Sequence, residues 1–205
     1  MSFGRLLLPP GVAYRRAAQE ALADRPVDAQ TVLAEMRRAY ARTESRYSFG
    51  VNLLLRYFDW SRALYASALE AGLDADEAGR LVQDTHWRLF RPVFVLLNRV
   101  SRLRSRRLRT RVQWMLDLSF RTVFTAPFER ELLASGEGIA FDVVRCPIAE
   151  YFRDHGMPEL TRHAACSLDW RMAELWGVLF ERTQTIAAGA DSCDFRYQMP
   201  DHVES

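Results

Sequence analysis

The spacing of apolar residues predicts helices over the first two-thirds of the chain. Between residues 49 and 72, apolar side chains recur every three or four positions, which places them on one face of a helix that ends at Gly72. The same spacing predicts a helix over residues 26–47. Pro9 and Pro10 predict a helix opened by proline over residues 12–23, and the acidic first turn at residues 74–77 predicts another that reaches about residue 100, kinked or broken at Pro92. We therefore expect the chain to be helical up to about residue 135.

After Gly136 the pattern changes to short elements of two kinds. Residues 138–147 alternate in part between apolar and polar and stop at a proline, which is typical of a strand. Two helices are predicted next, over residues 148–155 and 158–176. A hairpin of two strands, over residues 179–186 and 193–199, follows them. The predicted fold class is α+β: a mostly helical N-terminal two-thirds followed by a small antiparallel sheet in strand–helix–helix–hairpin order.

Length and composition predict one domain over residues 1–205, with a helical part (1–135) and an α+β part (136–200). A chain of 205 residues buries enough surface to fold without a metal or disulfide support. Its net charge of +2, from 28 basic and 26 acidic residues, lacks the basic excess of an obligate nucleic-acid binder. The three cysteines form no close pair, and no apolar run is long enough for a signal peptide or a membrane span. A cytoplasmic protein with no nucleic-acid partner and no transmembrane segment is expected.

One stretch departs from this even charge balance, because seven arginines occur among residues 99–111. A solvated arginine-rich helix or turn between two core helices would explain them. The alternative is a helix that binds anions or a membrane surface. The helical part could also form a homodimer.

The cysteines Cys146, Cys166 and Cys193 all lie in the last third of the chain. A cysteine is most often a small buried apolar residue. Cys166, however, precedes Asp169 by three positions, so the two side chains would share a helix face. A cysteine nucleophile needs a partner that takes its proton, and His163 or a residue elsewhere in the fold could supply it. No paired zinc-ligand spacing is present, although a metal site at the Cys and Asp positions stays open.

The predicted hairpin adds polar residues. Arg182, Thr183 and Thr185 are expected on one strand. The Arg182 guanidinium could bind a substrate carboxylate through two hydrogen bonds, or it could form an ion pair across the sheet.

Four segments, in their order, resemble the L-2-amino-thiazoline-4-carboxylic acid hydrolase family over roughly the last 70 residues. They are FDVVRCP (141–147), CSLD (166–169), RTQTIAAG (182–189) and CDFRY (193–197). The resemblance implies a hydrolase that acts on a non-peptide carbon–nitrogen bond of a cyclic isothiourea, with N-carbamoyl-cysteine as the product of the family's named reaction. A small-molecule substrate with a carboxylate, no assigned cofactor and a place in specialised metabolism are the corresponding expectations.

The resemblance also suggests roles for individual residues. The matching positions are Cys146, Cys166, Asp169, Gly189 and Cys193. Cys166 is assigned as nucleophile or ligand and Asp169 as base or orienting group, with Cys193 and Cys146 as further catalytic candidates. Substrate-binding candidates are Arg182, Thr185 and Arg145. The order of elements also resembles ligand-binding domains of the vinyl-4-reductase type, so the alternative is a non-catalytic module that binds a small ligand or a metal.

Overall fold

A computed structural model describes residues 8–44 and 47–200. Within this part it contains seven α-helices: α1 (Pro10–Leu22), α2 (Ala29–Ala39), α3 (Phe49–Glu70), α4 (Ala75–Arg104), α5 (Leu108–Thr122), α6 (Pro147–Asp154) and α7 (Ser167–Trp176). Four strands follow or interrupt the later helices: β1 (Glu129–Leu133), β2 (Ile139–Arg145), β3 (Leu179–Glu181) and β4 (Cys193–Gln198). The α+β class is confirmed.

Local side-chain contacts explain where several helices begin and end. The Asp74 carboxylate accepts the Glu77 N–H while Glu77 binds back to the Asp74 N–H, a capping box that starts α4. Of the kink or break predicted at Pro92, a break is absent, since this helix is continuous through the proline. The helix expected to reach residue 47 ends at 39 instead, because Tyr40 turns extended and stacks on Trp60 with ring centres 4.0 Å apart. Residues 45 and 46 of that expectation lie outside the described part.

The sheet is antiparallel throughout, in the order β1-β2-β4-β3. Val143 pairs with Cys193, and Phe141 with Phe195, so these side chains share one face. That face packs on α5 and α7. The opposite face is more polar and includes an ion pair between Arg196 and Asp142.

Two predictions about strands are wrong. Strand β1, with sequence ERELL, was expected to be helical, but pairing with β2 outweighs its helix-forming residues. The third strand ends at Glu181 rather than at residue 186. The Asp194 carboxylate accepts the N–H groups of Thr183 and Gln184 at 3.0 and 2.8 Å, which turns the backbone away from the sheet.

Two hydrophobic cores meet at shared residues. The first is built by α1–α4 together with α6, and the second by α5, α7 and the sheet. Phe128 and Cys146 pack against both cores. This continuity supports a single domain, which stays a prediction. Among the described residues, no helix has both the length and the apolarity to cross a membrane.

Candidate active site around Cys166 and Asp169

The fold brings the three cysteines together from three different elements. Cys146 follows β2 and precedes α6, and Cys193 begins β4. Cys166 ends a π-helical segment, Arg162–Cys166, and immediately precedes α7. All three are free thiols. A charge on Cys146 or on Cys193 raises the pKa of Cys166, so the three sulfur atoms are close enough to interact electrostatically. We call them the thiol cluster.

An ion pair between Asp169 and Arg182 lies beside the thiol cluster. Arg182 follows β3, and its Nη1 donates to Oδ2 of Asp169 at 2.5 Å. Its Nη2 donates to the carbonyl oxygen of Cys166 at 2.9 Å. The guanidinium also lies over the rings of Trp170 and Phe195, at 4.3 and 5.1 Å from their centres. Only 1% of the Arg182 side chain is exposed, so this residue fixes Asp169 and the backbone of Cys166 from inside the protein.

The surroundings of Asp169 make it a candidate proton acceptor. Burial raises the pKa of Asp169 to about 6, and the charge and hydrogen bond of Arg182 oppose part of that rise. The Asp169 side chain is nevertheless 23% exposed, so its carboxyl group is accessible from solvent. A carboxyl group with this pKa is ionised at neutral pH and accepts a proton more readily than an ordinary aspartate.

The same burial makes the cysteines poor resting nucleophiles. It raises the pKa of Cys146 to about 12, although the N–H groups of Ala149 and Ile148 at the start of α6 act in the opposite direction. Burial, and then the charge of Asp169, raise the pKa of Cys166 as well. Burial also raises the pKa of Cys193. At neutral pH the cluster therefore consists of protonated thiols.

Thiol alkylation tests this protonation state. At about pH 7 we expect iodoacetamide to modify Cys146 at least about 100-fold more slowly than a free cysteine, and Cys166 and Cys193 also more slowly, because only the thiolate reacts. Peptide mass spectrometry at timed intervals gives the rate for each position. The urea-unfolded protein is the control, in which all three should react rapidly. Fast modification of Cys166 in the native protein would contradict the conclusion that its thiol is protonated at neutral pH.

Tyr197 belongs to the site and was not singled out from the sequence. Its side chain is 1% exposed, and its Oη has no hydrogen-bond partner among the described residues. Burial and the charge of Asp169 both raise the pKa of Tyr197. The Nε of Arg182 is a second buried donor without a partner. Because side chains alternate along a strand, the spacing of four from Cys193 places Tyr197 on the same sheet face, and this signal could have identified it.

The other predicted residues lie in different surroundings. Thr185 is not on a strand, and its Oγ1 accepts the Ala188 N–H at 3.1 Å in a short 3-10 turn. The prediction that Arg182, Thr183 and Thr185 share one strand is therefore wrong. Arg145 is exposed and donates from Nε to Glu150 at 2.8 Å.

His163 also lies apart from the position expected for a base. Its ring packs against α4 at Gly79, where an added Cβ would lie 2.6 Å from the ring. A π-helical turn is wider than an α-helical one, so the three-residue spacing to Cys166 no longer stacks the two side chains.

Two further tests concern metals and cavities. Within residues 8–44 and 47–200, no three His, Cys, Asp or Glu side chains are arranged to hold a metal ion. A cleft of about 550 Å³ lies between the end of α5, β1 and Val144, and a second of about 340 Å³ lies between α1 and α2. None of the predicted site residues lines either cleft.

The fold and site thus define a small α+β protein with a buried carboxylate among thiols. The chain belongs to the L-2-amino-thiazoline-4-carboxylic acid hydrolase family, whose model matches residues 93–197, about half of its length. The match begins inside α4 and contains every predicted site residue. A search of curated proteins finds no match to this chain. The family's name describes a hydrolase of a small molecule.

Proposed function

We propose that this protein hydrolyses a small cyclic isothiourea that carries a carboxylate, of the 2-aminothiazoline-4-carboxylate type. The observation that carries the proposal is the Asp169 carboxyl group, with its pKa raised to about 6, held by Arg182 beside the thiol cluster. Its position inside the region that matches the family supports the choice of substrate. The cytoplasmic location and the place in specialised metabolism stay predictions.

In the proposed reaction Asp169 is the general base. The substrate enters with its isothiourea protonated, and Asp169 removes a proton from a water molecule while the water oxygen bonds to the amidine carbon and the carbon–nitrogen double bond becomes single, which gives a neutral tetrahedral intermediate. When this intermediate collapses, the carbonyl forms and its O–H proton passes to solvent, the carbon–sulfur bond breaks, and Asp169 returns its proton to the leaving sulfur. The raised pKa values of the thiols favour water over a cysteine as the nucleophile. Covalent attack by Cys166, with Asp169 taking the thiol proton, is the competing route.

The identity of the product distinguishes which bond of the ring is broken. If the ring sulfur leaves, the carbon–sulfur bond breaks and the product is an N-carbamoyl thiol. If the ring nitrogen leaves, the carbon–nitrogen bond breaks and the product is an S-carbamoyl amine. N-carbamoyl-cysteine corresponds to the first case, so we propose that the carbon–sulfur bond is broken after water adds to the carbon–nitrogen double bond.

The two buried donors without partners complete the proposed site. We propose that Arg182 Nε and Tyr197 Oη donate hydrogen bonds to the substrate, and that the Nη atoms of Arg182 keep Asp169 in place. A bound carboxylate or a developing negative charge is the partner that such donors favour. Thr185 and Arg145 remain predicted substrate contacts, although each already has a hydrogen-bond partner within the chain.

Turnover of 2-aminothiazoline-4-carboxylate is the direct test. We expect a product that is one water heavier by mass spectrometry and that releases one free thiol per turnover, detected with a disulfide reagent. In ¹⁸O-labelled water the product should contain one label. A substrate that binds in stoichiometric amount without being consumed would favour the non-catalytic ligand-binding alternative. Stoichiometric metal in the purified protein would favour a metal-binding module.

The pH dependence of turnover tests the role of Asp169. Because the base must be ionised, kcat/KM should rise about tenfold per pH unit below about pH 6 and become constant above it. Initial rates between about pH 4.5 and pH 8.5 check this, with circular dichroism at each pH to confirm folding. A kcat/KM that falls as the pH rises through 6 would mean that Asp169 acts as an acid.

A further inference from the structure

The end of α4 exposes an apolar stripe that nothing in the described part of the chain covers. Leu96, Val100 and Leu103 are 37%, 40% and 89% exposed. Their spacing of four and three positions places them on one helix face. Ser101 is fully buried on another face, and Asn98 donates to the carbonyl oxygen of Leu175 in α7. The stripe therefore points away from the core that α4 helps to build.

Arginines surround this stripe. Between residues 85 and 116 there are nine arginines and no acidic residue. Five of them are exposed around the stripe and on the turn that follows it: Arg99, Arg102, Arg104, Arg106 and Arg107. None of these five forms an ion pair with a described residue. We call these five arginines and the three apolar residues the basic stripe.

We propose that the basic stripe binds the surface of an anionic lipid bilayer. Such a surface offers negative headgroups to the arginines and an apolar interior to Leu96, Val100 and Leu103, so it matches both features at once. Arginine side chains can keep their charged ends at the headgroups while their stems lie along apolar surface. Leu103, near the end of α4, is 89% exposed, so its side chain is accessible to a flat surface.

Other partners fit less well. A second copy of the chain would bring two sets of arginines face to face, and like charges at an interface are unfavourable. A nucleic acid would satisfy the arginines but would leave the apolar stripe against phosphates. The proposal is independent of the proposed reaction, because the basic stripe contains none of the site residues.

Vesicle flotation tests the proposal with the full chain. We expect binding to vesicles of 70% phosphatidylcholine and 30% phosphatidylglycerol in about 0.15 M salt, and little binding to pure phosphatidylcholine. The variant R99Q/R102Q/R104Q should partition about 100-fold more weakly, since each arginine near an anionic leaflet contributes about a fivefold factor. The variant L96S/L103S should also bind more weakly at unchanged net charge. Both variants alter exposed side chains, and circular dichroism confirms that they fold.

The matched control is R37Q/R56Q/R153Q, which removes three exposed arginines from other helices. We expect it to bind the anionic vesicles as the unchanged protein does. Equal loss in the control and the test variant would overturn the proposal, since binding would then follow net charge alone. The proposal would also be overturned if the protein did not bind anionic vesicles, or bound neutral vesicles equally well. Tighter binding to an oligonucleotide would overturn it too, as would a dimer in light scattering that L96S/L103S dissociates. Hydrolysis measured without vesicles should be the same in R99Q/R102Q/R104Q.

Discussion

Replacing Asp169 with asparagine is expected to lower kcat/KM for the thiazoline carboxylate by about 1,000-fold. General-base catalysis by a positioned side chain contributes roughly 100- to 10,000-fold, and an amide cannot accept the proton. The asparagine oxygen can still accept the Arg182 hydrogen bond, so the site should retain its geometry. Steady-state rates for the folded variant measure the loss. The rise of kcat/KM below about pH 6 should disappear together with the carboxyl group.

Asp142→Asn is the matched control for this substitution. Asp142 also forms an ion pair with an arginine, Arg196, at 2.8 Å, and its side chain is 26% exposed. It lies on the sheet face opposite the thiol cluster, so its loss should leave kcat/KM within about twofold of the unchanged protein. A folded Asp169→Asn protein with more than about a tenth of the original kcat/KM would remove Asp169 as the base.

Cys166→Ser separates the two candidate nucleophiles in the same assay. If water attacks, the serine variant should retain most of its kcat/KM, because the hydroxyl fills nearly the same volume and performs no chemistry. If Cys166 attacks, kcat/KM should fall to the level of Asp169→Asn, since a serine hydroxyl is a much weaker nucleophile. A covalent adduct on Cys166 in quenched reactions would also identify the cysteine route.

The sequence was informative where local periodicity and tertiary structure agree. Helix α3 begins at Phe49 as predicted, because its apolar spacing matches the face that it buries. The grouping of Cys166 with Asp169 also followed from helical spacing. Strand β1 could not be predicted in this way, since Glu, Arg and Leu favour helices and only pairing with β2 makes them a strand.

The contacts of Arg182 show why part of the site could not be predicted. The sequence suggested a strand position and a substrate carboxylate as its partner. The chain turns at Glu181 because Asp194, thirteen residues further on, binds the backbone there. Arg182 then reaches Asp169, a contact between residues with no regular spacing. Tyr197 and the thiol cluster likewise depend on the sheet order β2-β4-β3, which local patterns do not specify.

Arg182→Met is expected to destabilise the folded protein by about 3–5 kcal/mol near neutral pH. The variant removes a guanidinium that is only 1% exposed and leaves Asp169, whose pKa desolvation already raises to about 6, without its counter-charge, and removing one partner of such a pair costs up to about this much. Urea unfolding followed by tryptophan fluorescence gives the free energy of unfolding. Arg196→Met is the matched control: its side chain is 33% exposed in its pair with Asp142, so its loss should cost about 1 kcal/mol or less.

The pH dependence of this loss identifies its cause. Without Arg182 the pKa of Asp169 in the folded protein rises further above that of the unfolded chain, because the group that lowers it is gone. The folded variant then binds a proton that the unfolded chain releases, so its stability falls as the pH rises from about 4 through that pKa. The cost of Arg182→Met should therefore be smaller at about pH 5 than at pH 8. In the Asp169→Asn background, where the double variant Asp169→Asn/Arg182→Met is compared with Asp169→Asn alone, the cost of losing Arg182 should no longer depend on pH in this range, since this carboxyl group no longer titrates. A cost that is equal at both pH values in the single variant would instead assign the loss to the packing of Arg182 against Trp170 and Phe195.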